Sequence, residues 1–260
     1  IVINDSIKVF QDITGDVSPC SGNLVTYKVQ LNQETNYWWK YDTLSSFIGY
    51  PDSLLITFPN TGRDDSLLYI ARNSCNEVVL KKKVTPKRPF AEQIALLTAN
   101  STNNGILFAW ERTSGKEIKE YKVYRELAND IYEEISTMSF DQISVYNDLN
   151  VSINTKTYKY KLGSVNMCGA IAYSEPHTTV LLQTSPYVGE NWINLDWTQY
   201  QGINVESYDI KRIFPDGTAI QITRVSGSER KYIDVSPVRN TRYRVSFNLN
   251  RTIDPSKLKL

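Results

Sequence analysis

Most enzyme chemistry depends on histidine, cysteine or carboxylate side chains, and this chain has a single histidine, His177. A hydrolase triad or a general acid–base site usually needs a histidine beside a nucleophile or a second titratable group. His177 lies in the stretch Ser-Glu-Pro-His-Thr-Thr-Val, and the sequence has no Gly-x-Ser-x-Gly elbow or phosphate-binding glycine loop to accompany it. The sequence therefore predicts a protein that is not an enzyme and has no catalytic residue.

Two adjacent carboxylate pairs, Asp64–Asp65 and Glu133–Glu134, are the remaining candidates for acid–base chemistry or metal binding. Neighbouring residues of a strand point to opposite faces, and neighbours in a loop are usually solvated, so neither pair predicts a two-carboxylate site. Asp52 could join Asp64 and Asp65 around a calcium ion, but the sequence lacks EF-hand spacing and we favour solvated loops. We expect no metal and no cofactor.

The bulk composition narrows the class of protein further. The 260 residues include 29 basic and 28 acidic side chains, for a net charge of +1, and no basic block long enough to follow a nucleic-acid backbone. Hydrophobic residues make up 41% of the chain, which is enough for packed cores. No apolar window is long enough for a membrane-spanning helix, so any lipid anchor would lie outside the sequence. We expect a folded monomer without a nucleic-acid partner.

Apolar residues recur mostly at every second position, in short runs separated by Gly, Pro, Asn, Asp and Ser. This pattern is typical of antiparallel β-sandwiches and predicts an all-β chain. We expect strands over residues 24–31, 66–72, 77–84, 120–125, 157–162 and 242–247. A single helical turn at residues 130–134 is the one helix that the pattern allows, and that segment could also be a loop.

Four landmarks recur in the same order in the last two thirds of the chain. They are Phe108-Ala-Trp110 and Leu195-Asp-Trp197, Tyr121-Lys-Val123-Tyr-Arg125 and Tyr208-Asp-Ile210-Lys-Arg212, Tyr146-Asn-Asp148 and Tyr232-Ile-Asp234, and Tyr158-Lys-Tyr160 and Tyr243-Arg-Val245. The landmark Trp and Tyr are equally spaced in both copies, which indicates an internal repeat divided at residues 183–186. A proline-marked linker at residues 85–89 gives the other boundary. The predicted domains are therefore 1–88, 89–184 and 185–260, joined into a semi-rigid rod.

The aromatic landmarks predict architecture. Trp110 and Trp197 each lie in an alternating strand, so their indoles should fill the space between two sheets. Tyr158 and Tyr243 each begin a strand after a polar turn, which is the position of a tyrosine corner whose hydroxyl bonds back to the upstream backbone.

Residues 90–260 resemble fibronectin type III domains, in particular those of gliding-motility-associated surface proteins of Bacteroidetes. The resemblance of the first copy lies in Val165-Asn-Met-Cys168-Gly and Ser174-Glu-Pro-His-Thr-Thr-Val180. That of the second lies in Ile193-Asn-Leu-Asp-Trp-Thr-Gln-Tyr-Gln-Gly202, Ser207-Tyr-Asp-Ile-Lys-Arg212 and Asp216-Gly217. The second copy departs from the pattern because few residues follow Tyr243, so its last strand is expected to be truncated.

The first 88 residues are similar to a PKD-like, Ig-type domain of Bacteroidetes surface proteins. The similarity lies in Ile13-Thr-Gly15, Cys20-Ser-Gly22, Thr26-Tyr-Lys-Val29, Tyr37-Trp-Trp39 and Ala71-Arg-Asn-Ser-Cys75. It implies that Trp39 points inward and that Cys20 and Cys75 form a disulfide, which would place the protein in an oxidising compartment. Cys168 is left over, either as an idle or buried thiol or as half of an intermolecular bridge. A metal site is disfavoured because the cysteines lack Cys-x-x-Cys spacing.

Exposed aromatic side chains are the candidates for binding. Family comparison places Trp39 inward, which leaves Trp38 and Lys40 on the opposite face, where an indole beside a lysine could stack on a sugar, join a protein interface or pack against the next domain. Trp192 and Tyr200, on either side of the strand of Trp197, form a second and weaker aromatic cluster.

The sequence as a whole predicts a non-catalytic exported protein at the cell surface, associated with the outer membrane, or in the periplasm. We expect it to serve in adhesion or as a spacer and to bind a protein or a glycan. The alternative is a carbohydrate-binding accessory module or a fragment of a larger glycan-processing protein. A groove of exposed aromatic side chains around Trp38 would favour that alternative.

Overall fold

The computed structural model describes residues 6–31, 36–41, 47–48, 52–60, 64–100, 102 and 104–259. Nearly all of the regular structure in them is antiparallel β-sheet, and the one helix among them is a 3₁₀ turn at Pro255–Lys257. The prediction of an all-β fold is confirmed. No helix in the described part of the chain is long and apolar enough to cross a membrane.

Contacts between residues divide the chain into two compact units. Unit 1 comprises Ile1–Phe90 and Val165–Ile171, and unit 2 comprises Ala91–Ser164 and Ala172–Leu260. Unit 2 holds both copies of the internal repeat. The finer division of unit 2 into domains 89–184 and 185–260 stays a prediction.

Unit 1 is a sandwich of two antiparallel sheets. Its strands are β1 (Val9–Thr14), β2 (Leu24–Leu31), β3 (Asn36–Tyr41), β4 (Phe47–Ile48), β5 (Ser53–Thr57), β6 (Asp65–Arg72) and β7 (Glu77–Val84). One sheet has the order β1-β2-β5 and the other β4-β3-β6-β7. Alternation explains the packing, because one face of β2 carries the buried Tyr27 and Val29 and the half-buried Val25 and Leu31. Trp39 is fully buried, with its ring 4.8 Å from that of Tyr69.

The predicted disulfide between Cys20 and Cys75 is wrong. Cys20 is bonded to Cys168, with their Cα atoms 5.6 Å apart, and Cys75 is an exposed free thiol. Cys20 pairs with Lys87 just beyond the end of β7, whereas Cys75 lies in the turn before that strand begins. The length of β7 therefore separates Cys20 from Cys75. At roughly 3.3 Å per residue along a strand, Cys20 and Cys75 lie too far apart for a disulfide, which needs Cα atoms within about 7 Å.

Asn166 shapes the turn that carries Cys168. Its Oδ1 accepts hydrogen bonds from the backbone N–H groups of Cys168 at 3.0 Å and Ala170 at 2.9 Å, and its Nδ2 donates to the carbonyl of Lys87 at 3.2 Å. Because Lys87 also pairs with Cys20, the same backbone segment lies beside both halves of the bridge. These contacts explain why residues 165–171 group with unit 1.

Unit 2 contains two sandwiches. The strands of the first sandwich are β8 (Ile94–Ala99), β9 (Ile106–Trp110), β10 (Ile118–Ala128), β11 (Ile131–Ser139), β12 (Val145–Asp148), β13 (Lys159–Asn166), β14 (Ile171–Tyr173) and β15 (His177–Thr178). The strands of the second are β16 (Leu182–Pro186), β17 (Ile193–Trp197), β18 (Val205–Ile213), β19 (Ala219–Ser226), β20 (Lys231–Asp234) and β21 (Arg242–Leu249). The first sandwich has one sheet of order β12-β9-β8 and another of order β11-β10-β13-β14, in which β15 also pairs with β13. The corresponding sheets of the second sandwich have the orders β16-β17-β20 and β19-β18-β21.

The helical turn predicted at residues 130–134 is replaced by a tight hairpin. Asn129 and Asp130 connect β10 to β11 with positive φ angles of 48° and 62°. Two successive left-handed residues are typical of a two-residue hairpin turn, and Asn and Asp tolerate that conformation better than most residues. Residues 131–134 therefore continue as strand.

The repeated landmarks have the same geometry in both sandwiches. The ring centroids of Trp110 and Tyr121 lie 5.2 Å apart, those of Trp197 and Tyr208 lie 5.6 Å apart, and the interplanar angle is 57° in each pair. All four side chains are buried. The equal sequence spacing therefore reflects one packing arrangement that is used twice.

A buried Arg–Asp–Tyr network also occurs twice. In the first sandwich, Asp148 accepts hydrogen bonds from Arg125 at 2.8 Å and from the hydroxyl of Tyr160 at 2.9 Å. In the second, Asp234 accepts them from Arg212 at 2.5 Å and from the hydroxyl of Tyr243 at 2.6 Å. Each aspartate also accepts a hydrogen bond from the backbone N–H two residues further on.

This network corrects the alignment of the last landmark, because the counterpart of Tyr243 is Tyr160 and not Tyr158. The hydroxyl of Tyr158 accepts a hydrogen bond from the backbone N–H of Ser152 at 2.7 Å, which is the geometry of a tyrosine corner. The hydroxyl of Tyr243 instead donates to the Asp234 carboxylate, so the corner predicted for Tyr243 is wrong.

The chain after β21 leaves the second sandwich and runs along the first. The Arg251 guanidinium donates to the carbonyl of Ile94 at 3.1 Å and lies 3.4 Å from Glu111. Further on, Lys257 and Lys259 accept backbone hydrogen bonds from Arg112 and Ser144. The sheet that contains β21 therefore has three strands, whereas the corresponding sheet of the first sandwich has five.

Candidate binding face

The predicted pair Trp38 and Lys40 lies on β3 in unit 1. Both side chains are half-buried, opposite Ile70 and Leu68 on β6. Trp39, between them, is buried in the core. The backbone thus places Trp38 and Lys40 on the outer face of the sheet, and their role in binding stays a prediction.

The second predicted cluster, Trp192 with Tyr200, does not form. Tyr200 is 1% exposed and belongs to the core of the first sandwich, so its assignment to a binding surface is wrong. The strand that contains Trp197 ends at that residue, so strand alternation does not extend to Tyr200. Trp192 is half-buried and packs on Tyr187, with ring centroids 5.2 Å apart.

His177, the only histidine, is buried beside Tyr200. Its Nδ1 lies 2.9 Å from the Tyr200 hydroxyl, which in turn accepts the backbone N–H of Leu97 at 3.1 Å. Burial, with a smaller contribution from the charge of Arg251, lowers the pKa of His177 to about 4. Gly202 passes so close to the imidazole that a Cβ atom there would overlap it. The side chain therefore links the two sandwiches of unit 2.

Three of the four carboxylates in the predicted pairs lie beside cations of the protein itself, with Asp64 3.6 Å from Lys83, and the side chain of Asp65 lies outside the described residues. Glu133 and Glu134 form ion pairs with Arg125 and Lys122, at 2.7 and 2.8 Å. Asp64 accepts a hydrogen bond from the Thr85 hydroxyl at 3.1 Å. Among the side chains that the structure describes, no group of three or more His, Cys, Asp or Glu residues could hold a metal ion.

A cluster of three tyrosines around one lysine lies on the outer face of the five-stranded sheet in unit 2. Four neighbouring strands, β10, β11, β13 and β14, each contribute one side chain: Tyr124, Tyr132, Lys161 and Tyr173. These four residues are called the tyrosine face below. Alternation accounts for their common orientation, since Tyr160 and Leu162, on either side of Lys161, are fully buried.

The Lys161 ammonium group lies against all three rings. Its nitrogen is 4.2 Å from the ring centroid of Tyr132, 4.4 Å from that of Tyr173 and 5.6 Å from that of Tyr124. Tyr124 and Tyr173 also pack edge to face, with centroids 5.5 Å apart. Cation–π contacts of this kind are worth about 0.5–1 kcal/mol each at exposed sites, so the rings are held in place before any ligand arrives.

Ion pairs border the tyrosine face. Lys159 lies 2.5 Å from Asp130 and 3.4 Å from Glu126, and Lys122 lies 2.8 Å from Glu134. The hydrogen bond from Lys122 lowers the pKa of Glu134, and that from Lys159 lowers the pKa of Asp130. Burial, aided by the neighbouring Tyr173, raises the pKa of Tyr124. The phenol of Tyr124 therefore stays neutral at physiological pH and can donate and accept hydrogen bonds.

The sequence contains a signal for one strand of this face. Lys159 and Lys161 alternate with Tyr158, Tyr160 and Leu162, which indicates that both lysines share the outer face of one strand. The partners of these lysines could not be read from the sequence, because they depend on how β10, β11 and β14 are ordered around β13.

No protein-family model matches the chain, and no curated protein matches it. Among solved structures, the FN1–FN3 domains of chicken CNTN1 are 14% identical, with 91% of this chain and 92% of that chain covered and a TM-score of 0.33. A two-domain fibronectin type III segment of chicken tenascin is 11% identical, with 67% and 99% covered and a TM-score of 0.31. Pectate lyase PelI from Erwinia chrysanthemi, in complex with tetragalacturonic acid, is 20% identical, with 35% and 28% covered and a TM-score of 0.30. Similarity at this level gives no information on the ligand or the activity of this chain.

The strand order itself defines the class of protein. Each repeat in unit 2 has a three-stranded sheet facing a second sheet centred on β10 or β18, with a tryptophan buried between the sheets. This is the arrangement of Ig-like and fibronectin type III-like sandwiches. The chain is therefore a multi-sandwich protein of that class.

Proposed function

We propose that this protein is a non-catalytic, exported adhesion or spacer protein that recognises a protein ligand through the tyrosine face of unit 2. The observation that carries the proposal is the fixed arrangement of Tyr124, Tyr132 and Tyr173 around Lys161. Tyrosines are enriched at protein interfaces because they supply a large apolar area and a polar tip at a small entropic cost. A face that is already ordered loses little further freedom on binding.

A protein ligand is favoured over a glycan by the position of the lysine. Sugars stack on open aromatic faces, whereas the Lys161 ammonium already lies against these rings. A protein partner can instead pair a carboxylate with Lys161 and bury the edges of the rings. The carbohydrate-binding alternative requires the lysine to move and becomes an outcome of the test below.

Export is proposed on the basis of the Cys20–Cys168 bridge. Stable disulfides are typical of extracellular, periplasmic and cell-surface proteins. The proposal places the protein at the cell surface or in the periplasm, as a monomer, in keeping with the resemblance of its sequence to surface proteins of Bacteroidetes.

The test is a binding array of extracellular proteins and glycans, probed with the intact chain and with a double variant, Tyr132→Ala with Tyr173→Ala. Saturable binding to a protein spot, weakened about tenfold or more in the double variant, is the expected result. Tyr187→Ala is the matched control, because it removes an exposed tyrosine from the second sandwich. Thermal unfolding shows whether each variant is folded.

Three other outcomes would redirect the proposal. Binding confined to glycans would establish the carbohydrate-binding alternative. Binding that survives the double variant but is lost in Trp38→Ala would move the recognition site to unit 1. If nothing binds, the protein serves as a spacer without a ligand of its own.

A further inference from the structure

Strand β21 of the second sandwich has a free edge. It pairs with β18 on one side, and no strand among residues 182–259 pairs with its other side. The corresponding strand of the first sandwich, β13, is covered on that side by β14 and β15. The chain that follows β21 is not available to cover it, because Arg251, Lys257 and Lys259 are bonded to the first sandwich.

The core of the second sandwich shows the effect of the missing strand. Tyr160 and Leu162 on β13 are fully buried, whereas their counterparts on β21, Tyr243 and Val245, are half-buried. The first sandwich buries twelve residues in its core cluster and the second buries four. The inward face of β21 therefore remains partly open to solvent.

A groove runs along this edge. It has a volume of about 960 Å³ and is bordered by residues 241–247, which include Tyr243, Val245 and Phe247 as well as Arg242 and Arg244. Leu182 of β16 and Leu96 of β8 line it from the other side. A groove that offers a free strand edge and apolar side chains matches the needs of an added strand, which bonds through its backbone and places alternate side chains in the core.

The positive charge on the outward face of β21 indicates which side chains the added strand should carry on that face. Arg242 and Arg244 are both exposed, and Arg244 lies directly opposite Lys211 on β18. Like charges across a strand pair are unfavourable, so a carboxylate of an added strand beside Arg244 would offset its repulsion with Lys211. A second copy pairing through its own β21 would bring four arginines onto one face, which disfavours self-association.

We propose that β21 binds an extended segment of a partner protein by strand addition, with apolar residues facing the groove and carboxylates at the alternate positions. The added strand runs antiparallel to β21, as β15 does to β13. This interaction uses the second sandwich and does not depend on the tyrosine face.

The test uses the intact chain and two synthetic peptides of about eight residues, the length of β21. One alternates valine with glutamate, and the other alternates valine with lysine. Binding is followed by fluorescence anisotropy, and amide hydrogen exchange locates it. We expect the glutamate peptide to bind the wild-type chain and to slow exchange in residues 242–249, with no change in residues 159–166.

Reversing the charge provides the matched variant. Arg242→Glu with Arg244→Glu changes two exposed side chains and should leave unfolding unchanged. The preference between the two peptides should reverse, with about a tenfold change for each peptide. A glutamate peptide of the same composition without alternation is the control for nonspecific attraction.

Three results would overturn the proposal. They are equal binding of the non-alternating peptide, a preference that does not reverse in the variant, and an absence of added protection in residues 242–249. Slow exchange of those residues in the free protein, with a dimer in sedimentation, would show instead that a second copy covers the edge. None of these results bears on the binding array, so the two proposals can fail separately.

Discussion

The Tyr200 hydroxyl accepts a hydrogen bond from the backbone N–H of Leu97, at 3.1 Å, and lies 2.9 Å from Nδ1 of His177. Since the hydroxyl has already accepted one hydrogen bond, its own proton is free to point at the imidazole. Because burial lowers the pKa of His177 to about 4, the imidazole is neutral at physiological pH and an unprotonated Nδ1 can accept this proton. A single buried triangle of polar groups thus connects β8, β15 and the segment after β17.

The pH dependence of stability should report this triangle. The pKa of His177 is about 4 in the folded protein and about 6.5 when unfolded, so the unfolded chain binds the proton first as the pH falls. The stabilisation is complete above pH 6.5 and is lost as the pH falls toward 4. Unfolding in urea should show a loss of about 2 kcal/mol between pH 7.5 and pH 5.

His177→Gln separates this effect from the titration of carboxyl groups. The variant should be less stable at pH 7.5, and its stability should change much less over the same interval. An equally steep pH dependence in wild type and variant would mean that other groups are responsible.

The disulfide assignment can be checked by peptide mapping. A digest made without reducing agent should contain a peptide pair joined through Cys20 and Cys168, with Cys75 alkylated as the only free thiol. Cys168→Ser should lower the free energy of unfolding by up to about 5 kcal/mol, because the bridge closes a loop of 148 residues. Cys75→Ser should change it little, and a linked peptide that contains Cys75 would refute the assignment.

Removal of the aspartate should destabilise each Arg–Asp–Tyr network. Asp148 is 1% exposed and Asp234 is 4% exposed, so each substitution removes a buried carboxylate. Asp234→Ala takes away the carboxylate that pairs with Arg212, whereas Arg125 keeps its ion pair with Glu133 after Asp148→Ala. Losses of about 3 kcal/mol are expected in chemical unfolding. Asp196→Ala, at an exposed position of β17, is the control. Losses no larger than the control would show that these networks contribute little to stability.

The C-terminal segment should stabilise the sandwich that it contacts. Arg251→Ala removes the ion pair with Glu111 and the hydrogen bond to Ile94, and should cost about 1–2 kcal/mol. A chain that ends at Asn250 should also exchange amide hydrogens faster at Arg112 and Ser144, which lose their backbone partners. Unchanged exchange at those two positions would contradict this role.

The sequence predicted features that depend on local pattern. Alternation located the strands, and equal spacing of Trp110–Tyr121 and Trp197–Tyr208 predicted one packing arrangement used twice. Features that depend on how distant segments meet could not be predicted in this way. The partner of Cys20 lies in the turn between β13 and β14, and no residue near Cys168 in the sequence indicates that the two cysteines meet.

The candidate sites show the same limit. Tyr200 follows Trp197 closely in sequence, but the strand ends at Trp197 and the chain then places Tyr200 in the core of the first sandwich. Conversely, Tyr124 and Tyr173 come together because β10 and β14 both lie on the sheet around β13, an order that periodicity does not encode. The free edge of β21 also depends on distant contacts, because the segment after Leu249 packs on the first sandwich.

The thiol of Cys75 is a practical site for labelling the protein. Because it is exposed and the other two cysteines are bonded to each other, a maleimide reagent applied without reducing agent should label the chain at one defined position in unit 1. A biotin attached there would immobilise the protein while leaving both the tyrosine face and the edge of β21, which belong to unit 2, chemically untouched.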